Sequence, residues 1–323
     1  MVVEDYALAL GGFVLLFLGG ESLLRGAVGL AQRFGVSTLF IGVVVVGFGT
    51  SAPEFLVCLE AALRGKDDLT VGNIVGSNIA NVMLIVGVAA AIRPVMSRPA
   101  VLRRDGFAML GASALLVGLA LHGGVERWIA AGMLLLLAGF LTYCAQCERR
   151  GDDCSSYTDE VEDITAAPRA IWLGVLTALL GIGLLVSGSN MLIAGATGIA
   201  QTYGVSEAVI GVTLVALGTS LPELATVFVA ALRHHGDVAL GNVLGSNVFN
   251  VLGMLGLTSL IEPVAISPAF LSLDMWVMLG VSALLLVFMR TGQRVTRTES
   301  GVLLAGYALY VAFLLNPAGM AAG

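Results

Sequence analysis

Residues 41–82, IGVVVVGFGTSAPEFLVCLEAALRGKDDLTVGNIVGSNIANV, decide the fold, because they return at 210–251 as IGVTLVALGTSLPELATVFVAALRHHGDVALGNVLGSNVFNV. Thr50 pairs with Thr219, Pro53 with Pro222, Glu54 with Glu223, Asn73 with Asn242 and Asn81 with Asn250, at a constant offset and without a gap. Generic hydrophobicity aligns two apolar segments; it does not align polar, Gly and Pro positions in the same order. Weaker matches extend outward, Gly26 with Gly195, Gln32 with Gln201 and Gly35-Val36-Ser37 with Gly204-Val205-Ser206. The chain is therefore read as two related halves, 1–145 and 169–323, joined by a polar linker at 146–168.

Composition sets the medium. The 323 residues are 58% hydrophobic and 12% charged. Soluble domains carry about 25% charged residues, so too few are present here to cover a water-facing surface. Ten apolar runs approach the roughly 20 residues that a helix needs to cross a bilayer. They fall at 6–31, 36–64, 69–92, 105–121, 127–145, 169–200, 205–233, 238–261, 273–289 and 299–315. Glu4 and Asp5 precede the first run, which is too long for a signal core, so it is expected to stay in the mature protein. The predicted fold is all-α and integral to the membrane.

Orientation follows from the basic residues. With the N-terminus outside, the inner loops hold Arg25, Arg33, Arg93, Arg98, Arg103, Arg104, Arg149, Arg150, Arg169, Arg233, Arg290, Arg294 and Arg297. The outer loops hold only Arg64, Lys66 and Arg127. This bias puts both termini on the extracytoplasmic side of the cell membrane. Trp128, Trp172 and Trp276 stand near the start of a run, where amphipathic rings settle at the headgroups. A repeat of five spans is odd, so the second copy enters the membrane in the opposite sense. Ten helices in two inverted five-helix repeats follow, a plan whose binding sites lie near the midplane between the halves.

Glu54 and Glu223 lie inside spans two and seven. A carboxylate inside a bilayer costs at least ~2.5 kcal/mol and so faces a partner, a cavity or an ion. Each follows Gly-Thr-Ser-x-Pro, and Gly49, Gly218, Pro53 and Pro222 favour a break, making helices two and seven discontinuous. Ser51 to Glu54 also reads as a capping box starting a second half-helix. That box alone would leave the carboxylates with a merely local role. Two carboxylates at equal depth in opposed halves instead repel strongly in low dielectric, which a bound cation relieves. A broken helix also frees carbonyls, and those of Gly47 and Ala216 are the expected contributors. Thr50, Ser51, Thr219 and Ser220 add hydroxyls. An all-oxygen set suits Ca²⁺ or Na⁺ and not Zn²⁺ or Cu⁺.

Spans three and eight carry Gly-Asn-x-x-Gly-Ser-Asn-x-x-Asn. Asn73, Ser77 and Asn81 are four apart and form one stripe on a helix, beside small Gly72 and Gly76. Ser77, Asn81, Ser246 and Asn250 read as ligands, whereas Asn73 and Asn78 read as polar contacts between helices.

GTSAPE with GSNIAN, and GTSLPE with GSNVFN, resemble the two alpha-repeats of the sodium/calcium exchanger (cation/calcium antiporter) superfamily, over nearly the whole chain. The resemblance implies a prokaryotic-type ten-helix antiporter exchanging Ca²⁺ for several Na⁺. It implies Glu54 and Glu223 as shared Ca²⁺/Na⁺ ligands, with Thr50, Ser51, Thr219, Ser220, Ser77, Ser246, Asn81 and Asn250 completing the sites. Many prokaryotic and potassium-dependent relatives carry Asp where this chain has Asn250, which argues against K⁺ co-transport. The linker is too short for a large calcium-sensing domain. The expected partners are Ca²⁺ and Na⁺ as cargo and membrane lipid, with no cofactor, nucleic acid or obligate protein partner.

A proton/calcium antiporter would use the same fold, but families of that kind carry Gly-Asn-x-x-Glu in place of Gly-Thr-Ser-x-Pro-Glu. A cation channel would build its pore from several subunits, whereas this single chain already holds a pseudo-twofold pair. An enzyme lacks support, since Ser51 and Ser220 have no nearby His or Lys base. Glu21 is expected to pair with Arg25 one turn on. Cys144 and Cys147 form a lone C-x-x-C with Cys154 beyond, and no second pair marks a metal site. Cys58 reads as packing. The acidic run Asp159, Glu160, Glu162, Asp163 lacks the spacing of a calcium loop.

Overall fold

The computed structural model describes residues 2–150, 170–203, 218–271 and 273–314. Its helices are α1 (Val2–Phe34), α2 (Gly42–Thr50), α3 (Ala52–Leu63), α4 (Asp67–Ile92), α5 (Pro99–His122) and α6 (Arg127–Arg150) in the first half. The second half has α7 (Ile171–Thr202), α8 (Leu221–Leu232), α9 (Gly236–Ile261), α10 (Asp274–Arg290) and α11 (Arg297–Leu314). Six of the described helices are long and apolar enough to cross a membrane, or seven if α2 and α3 form one bent span. Helices α10 and α11, with 17 and 18 residues, stand at the short end of what a crossing helix needs. The predicted run 205–233 is described only from 218, and most of the linker lies outside the described residues.

The polarity of the packing is that of a protein in lipid. The apolar cores of α4 and α9 are 78% and 83% buried, whereas those of α6 and α7 are 22% and 28% buried. The peripheral helices turn Leu10, Trp128, Leu135, Trp172 and Leu309 outward. The motif-bearing helices thus form the centre, where their polar side chains are shielded.

Helices α1 and α7 pack antiparallel through glycines. A Cβ on Gly12 would lie 2.5 Å from the Leu192 nitrogen, one on Gly19 2.8 Å from that of Leu185, and one on Gly26 2.6 Å from that of Ala178. Partner numbers fall as residue numbers rise, which fixes the antiparallel sense. Gly181 answers in kind, its Cβ falling 2.5 Å from the Leu23 nitrogen. Side chains absent at heptad spacing let two backbones touch where no hydrophobic effect would draw helices together.

Two short antiparallel ladders tie the halves. β1 (Val95–Met96) pairs with β4 (Arg294–Val295), and β2 (Gly124–Val125) pairs with β3 (Val264–Ala265). Each joins a loop of one half to a loop of the other. Ser113 and Ser282, 169 positions apart and equivalent in the repeat, meet at 3.2 Å between α5 and α10.

One stretch departs from expectation. Arg103 and Arg104 were expected in an inner loop, yet the helix already starts at Pro99. Arg104 is buried beside Asp105 in a two-pronged ion pair of 2.9 and 3.0 Å. A paired guanidinium tolerates burial that a lone charge would not.

Candidate ion-binding site

At each Gly-Thr-Ser-x-Pro-Glu motif a turn precedes a helix that begins just before the Pro. Helices α2 and α3 meet at 49° around Ser51, whose φ of −83° and ψ of 0° leave the helical range. Ser220 has φ −92° and ψ 7° ahead of α8. Pro53 and Pro222 sit in the first turn of the second segment, where a missing N–H costs nothing. Each Glu consequently occupies the first turn of a new helix.

The capping boxes do not form. Neither Ser51 nor Ser220 caps its own helix. Ser51 Oγ instead donates to Glu223 Oε1 at 2.9 Å, and Ser220 Oγ donates to Glu54 Oε1 at 2.9 Å. A hydroxyl donating to a carboxylate gains more than one accepting from a backbone N–H, so the contact across the halves wins.

The crossing recurs in two further layers. Thr50 Oγ1 lies 3.4 Å from Asn242 Oδ1, and Thr219 Oγ1 lies 3.5 Å from Asn73 Oδ1. Asn81 Nδ2 donates to Asn247 Oδ1 at 3.0 Å, and Asn250 Nδ2 to Asn78 Oδ1 at 3.1 Å. Every bond in these layers has its repeat-related twin. Ser77 Oγ adds a donation to Glu54 Oε1 at 2.8 Å. Ser246 Oγ lies 3.3 Å from Ser51 Oγ, 3.2 Å from Asn242 Oδ1 and 3.3 Å from the Gly47 carbonyl. Close approach of α2 to α9 makes this possible, since a Cβ on Gly245 would fall 2.7 Å from the Val43 carbonyl.

Apart from Asn242 Nδ2, what remains unpaired in these layers is oxygen. Glu54 Oε2, Glu223 Oε2, Asn81 Oδ1 and Asn250 Oδ1 are buried and accept no hydrogen bond. The two carboxyl groups lie within direct electrostatic reach of each other. Among the described residues neither carboxylate has an ion-pair partner. Desolvated charges cost several kcal/mol each unless compensated, so the geometry calls for a positive charge between them. Hard carboxylate, amide and hydroxyl oxygens fit a hard cation.

Of the twelve residues singled out from sequence, the structure gathers Glu54, Glu223, Thr50, Ser51, Thr219, Ser220, Ser77, Asn81, Ser246 and Asn250 into these layers. Gly47 is present, but its carbonyl is already engaged by the Ser51 amide at 3.3 Å as well as by hydroxyls, so the break does not leave it free. Ala216 lies outside the described residues. Asn78 and Asn247 do more than join helices: they accept from Asn250 and Asn81 and leave those amide oxygens unengaged. Their place in the repeated Ser-Asn-x-x-Asn was the available signal. In both Asn81 and Asn250 the backbone enters a π-helical turn, 81–85 and 249–255, a distortion that re-aims side chains.

Residues set aside behave as follows. Glu21 pairs with Arg25 at 2.8 Å, as the spacing predicts, and also with Arg233 of the other half at 2.9 Å. Cys58, Cys144 and Cys147 are buried free thiols, and Cys154 lies outside the described residues.

Comparison with known proteins is consistent across sequence and structure. The family model described as "Sodium/calcium exchanger protein" matches residues 5–146 and 173–316. The chain is 36% identical over 315 residues to the inner membrane protein YrbG of Escherichia coli, covering 95% of this chain and 96% of that one. It is 32% identical over 348 residues to the sodium/calcium exchanger MaX1 of Methanosarcina acetivorans, covering 98% and 99%. Among solved structures, the sodium-calcium exchanger NCX_Mj soaked with Na⁺ and Sr²⁺ superposes with a TM-score of 0.81 at 28% identity, covering 97% and 99%.

Proposed function

The chain belongs to the sodium/calcium exchanger family, and from that premise we propose that it exchanges Na⁺ for Ca²⁺ by alternating access at a midplane site held by Glu54 and Glu223. Membership alone makes it a multi-pass membrane transporter, not an enzyme, with Na⁺ and Ca²⁺ as its cargo. The coupling, the site and the topology are our reading.

The observation that carries it is the pair of buried carboxylate oxygens, Glu54 Oε2 and Glu223 Oε2, that accept no hydrogen bond although every neighbouring hydroxyl is engaged. Two carboxylates neutralise one Ca²⁺. Thr50, Ser51, Thr219, Ser220, Ser77, Ser246, Asn81 and Asn250 complete the oxygen set, with Ala216 as the backbone contributor; the Gly47 carbonyl, already engaged, is not counted among them. Na⁺ entering the same oxygens displaces Ca²⁺, and an empty pair of like charges resists the rearrangement, so exchange prevails over leak.

We take the architecture as ten spans in two inverted repeats, 1–145 and 169–323, joined at 146–168. The twofold-related bonds support it, as does the pairing of β1 with β4 and β2 with β3, since this topology puts each pair of loops on one membrane face. The positive-inside bias supports placement in the cell membrane with both termini outside.

Purified protein in proteoliposomes tests the coupling. An outward Na⁺ gradient is expected to drive ⁴⁵Ca²⁺ uptake, and an imposed pH gradient to leave it unchanged. Uptake that follows the pH gradient with no Na⁺ present would make the protein a proton/calcium antiporter.

A further inference from the structure

Away from the ion site, a groove of about 670 Å³ opens where the N-terminal end of α5 meets the C-terminal end of α10. Arg103, Arg290 and Gln293 line its mouth, and Phe107, Leu110 and Leu286 form its walls. We propose that this groove binds an anionic phospholipid of the cytoplasmic leaflet, with its phosphate on Arg103 and Arg290 and an acyl chain along Phe107 and Leu110.

Charge complementarity argues for the headgroup. Among the described residues no carboxylate lines the groove. Arg103 donates only to the Pro99 carbonyl, at 3.3 Å, and among the described residues Arg290 makes neither an ion pair nor a hydrogen bond. Several other arginines are occupied, Arg25 and Arg233 on Glu21, Arg64 on Glu60 and Arg127 on the Leu260 and Ile261 carbonyls; what sets Arg103 and Arg290 apart is that both line one groove. Two cations lining one groove with no counter-charge among the described residues suit a phosphate, and a basic pocket between membrane helices on the cytoplasmic side is where anionic lipids dock.

The walls argue for a lipid rather than free phosphate. Phe107 and Val287 are more than half exposed on membrane-spanning helices, so the groove opens toward hydrocarbon. An amphiphile satisfies both ends; inorganic phosphate satisfies only the mouth.

The repeat supplies an internal control. The positions equivalent to Arg103 and Arg290 are Ser272 and Leu121. Two halves that agree so closely at the ion site therefore differ here, with basic residues at the inner membrane face alone. The leaflet follows from the orientation proposed above; the lipid preference does not depend on it.

Native mass spectrometry of the full chain in detergent, titrated with phosphatidylglycerol and with phosphatidylcholine of the same acyl chains, tests the assignment. Phosphatidylglycerol is expected to be retained in preference, and Arg103→Ala with Arg290→Ala to weaken it roughly thirtyfold. The paired lysine variant should keep most of the preference, which separates charge from folding should the alanine pair be unstable. Phe107→Ala should weaken phosphatidylglycerol severalfold, and millimolar inorganic phosphate should not displace it. Equal retention of both lipids, or retention unchanged in the alanine pair, would overturn the proposal. Displacement by inorganic phosphate would make this a soluble-anion site. Lipid preference that appears only when the acidic residues of linker 146–168 are neutralised would assign the arginines to the linker instead.

Discussion

Glu54 and Glu223 hold equivalent positions in two closely similar motifs, yet their surroundings differ. Glu54 Oε1 receives two close hydroxyls, Ser77 at 2.8 Å and Ser220 at 2.9 Å. Among the described residues Glu223 Oε1 receives one close hydroxyl, Ser51 at 2.9 Å, because the counterpart of Ser77 turns away. That counterpart, Ser246, lies against Asn242 and the Gly47 carbonyl. The same donor types thus build a tighter cradle in one half than in the other. What a repeat conserves is the inventory of groups; which way a hydroxyl rotates is decided by the backbone beside it.

The carboxylates themselves define the largest test of this comparison. Glu54→Gln and Glu223→Gln are each expected to lower Ca²⁺ affinity by at least about a hundredfold, because a single carboxylate leaves half the charge of a buried Ca²⁺ uncompensated. ⁴⁵Ca²⁺ uptake under a Na⁺ gradient checks this. A large loss in one variant and a small loss in the other would mean that a single half carries the ion.

Packing between α1 and α7 is symmetric and should respond symmetrically. Gly12→Ala and Gly181→Ala place a Cβ 2.5 Å from a backbone nitrogen of the facing helix, and each is expected to cost about 1–3 kcal/mol. Gly183, which meets nothing within 4 Å, should accept Ala without loss. Thermal unfolding in detergent reads all three. Unequal costs for Gly12 and Gly181 would show that the halves diverge in packing as well as at the site.

The serines sharpen the difference. Ser77→Ala removes a bond to a charged group and should weaken Ca²⁺ binding about tenfold. Ser246→Ala removes bonds between neutral groups and should weaken it about threefold. Equal losses would show that Ser246 swings onto Glu223 once an ion is bound, erasing the asymmetry.

The smallest effect concerns the amides. Double-mutant cycles on Asn81 with Asn247 and on Asn250 with Asn78 should each return a coupling of about 1 kcal/mol in unfolding stability. A coupling near zero in one cycle would remove that layer from the twofold pattern.

Much of this molecule is written in periodicity and repetition. The apolar runs give most helices to within a few residues, and Gly-Thr-Ser-x-Pro-Glu gives the break and the carboxylate together. Tertiary choices are not written there. Ser51 sits at capping-box spacing from Glu54, and only the facing half supplies the carboxylate that outbids the cap. Arg25 is the obvious partner of Glu21, whereas Arg233 reaches the same carboxylate from the other half. Gly47 follows a rule about broken helices that holds only until neighbouring donors claim its carbonyl. The helix register at Arg104 escaped for a related reason: charge suggests a loop, and only the adjacent Asp105 makes burial affordable. Local spacing states what a group offers, and the fold decides who takes it.

The central claim is that one cation is held jointly by a carboxylate from each half. Equilibrium ⁴⁵Ca²⁺ binding to the purified native chain, to Glu54→Gln, to Glu223→Gln and to the double variant tests it without transport. The account predicts one site per chain in the native protein, lost in either single variant and no further reduced in the double. Partial binding retained by each single variant, with the losses summing in the double, would contradict it.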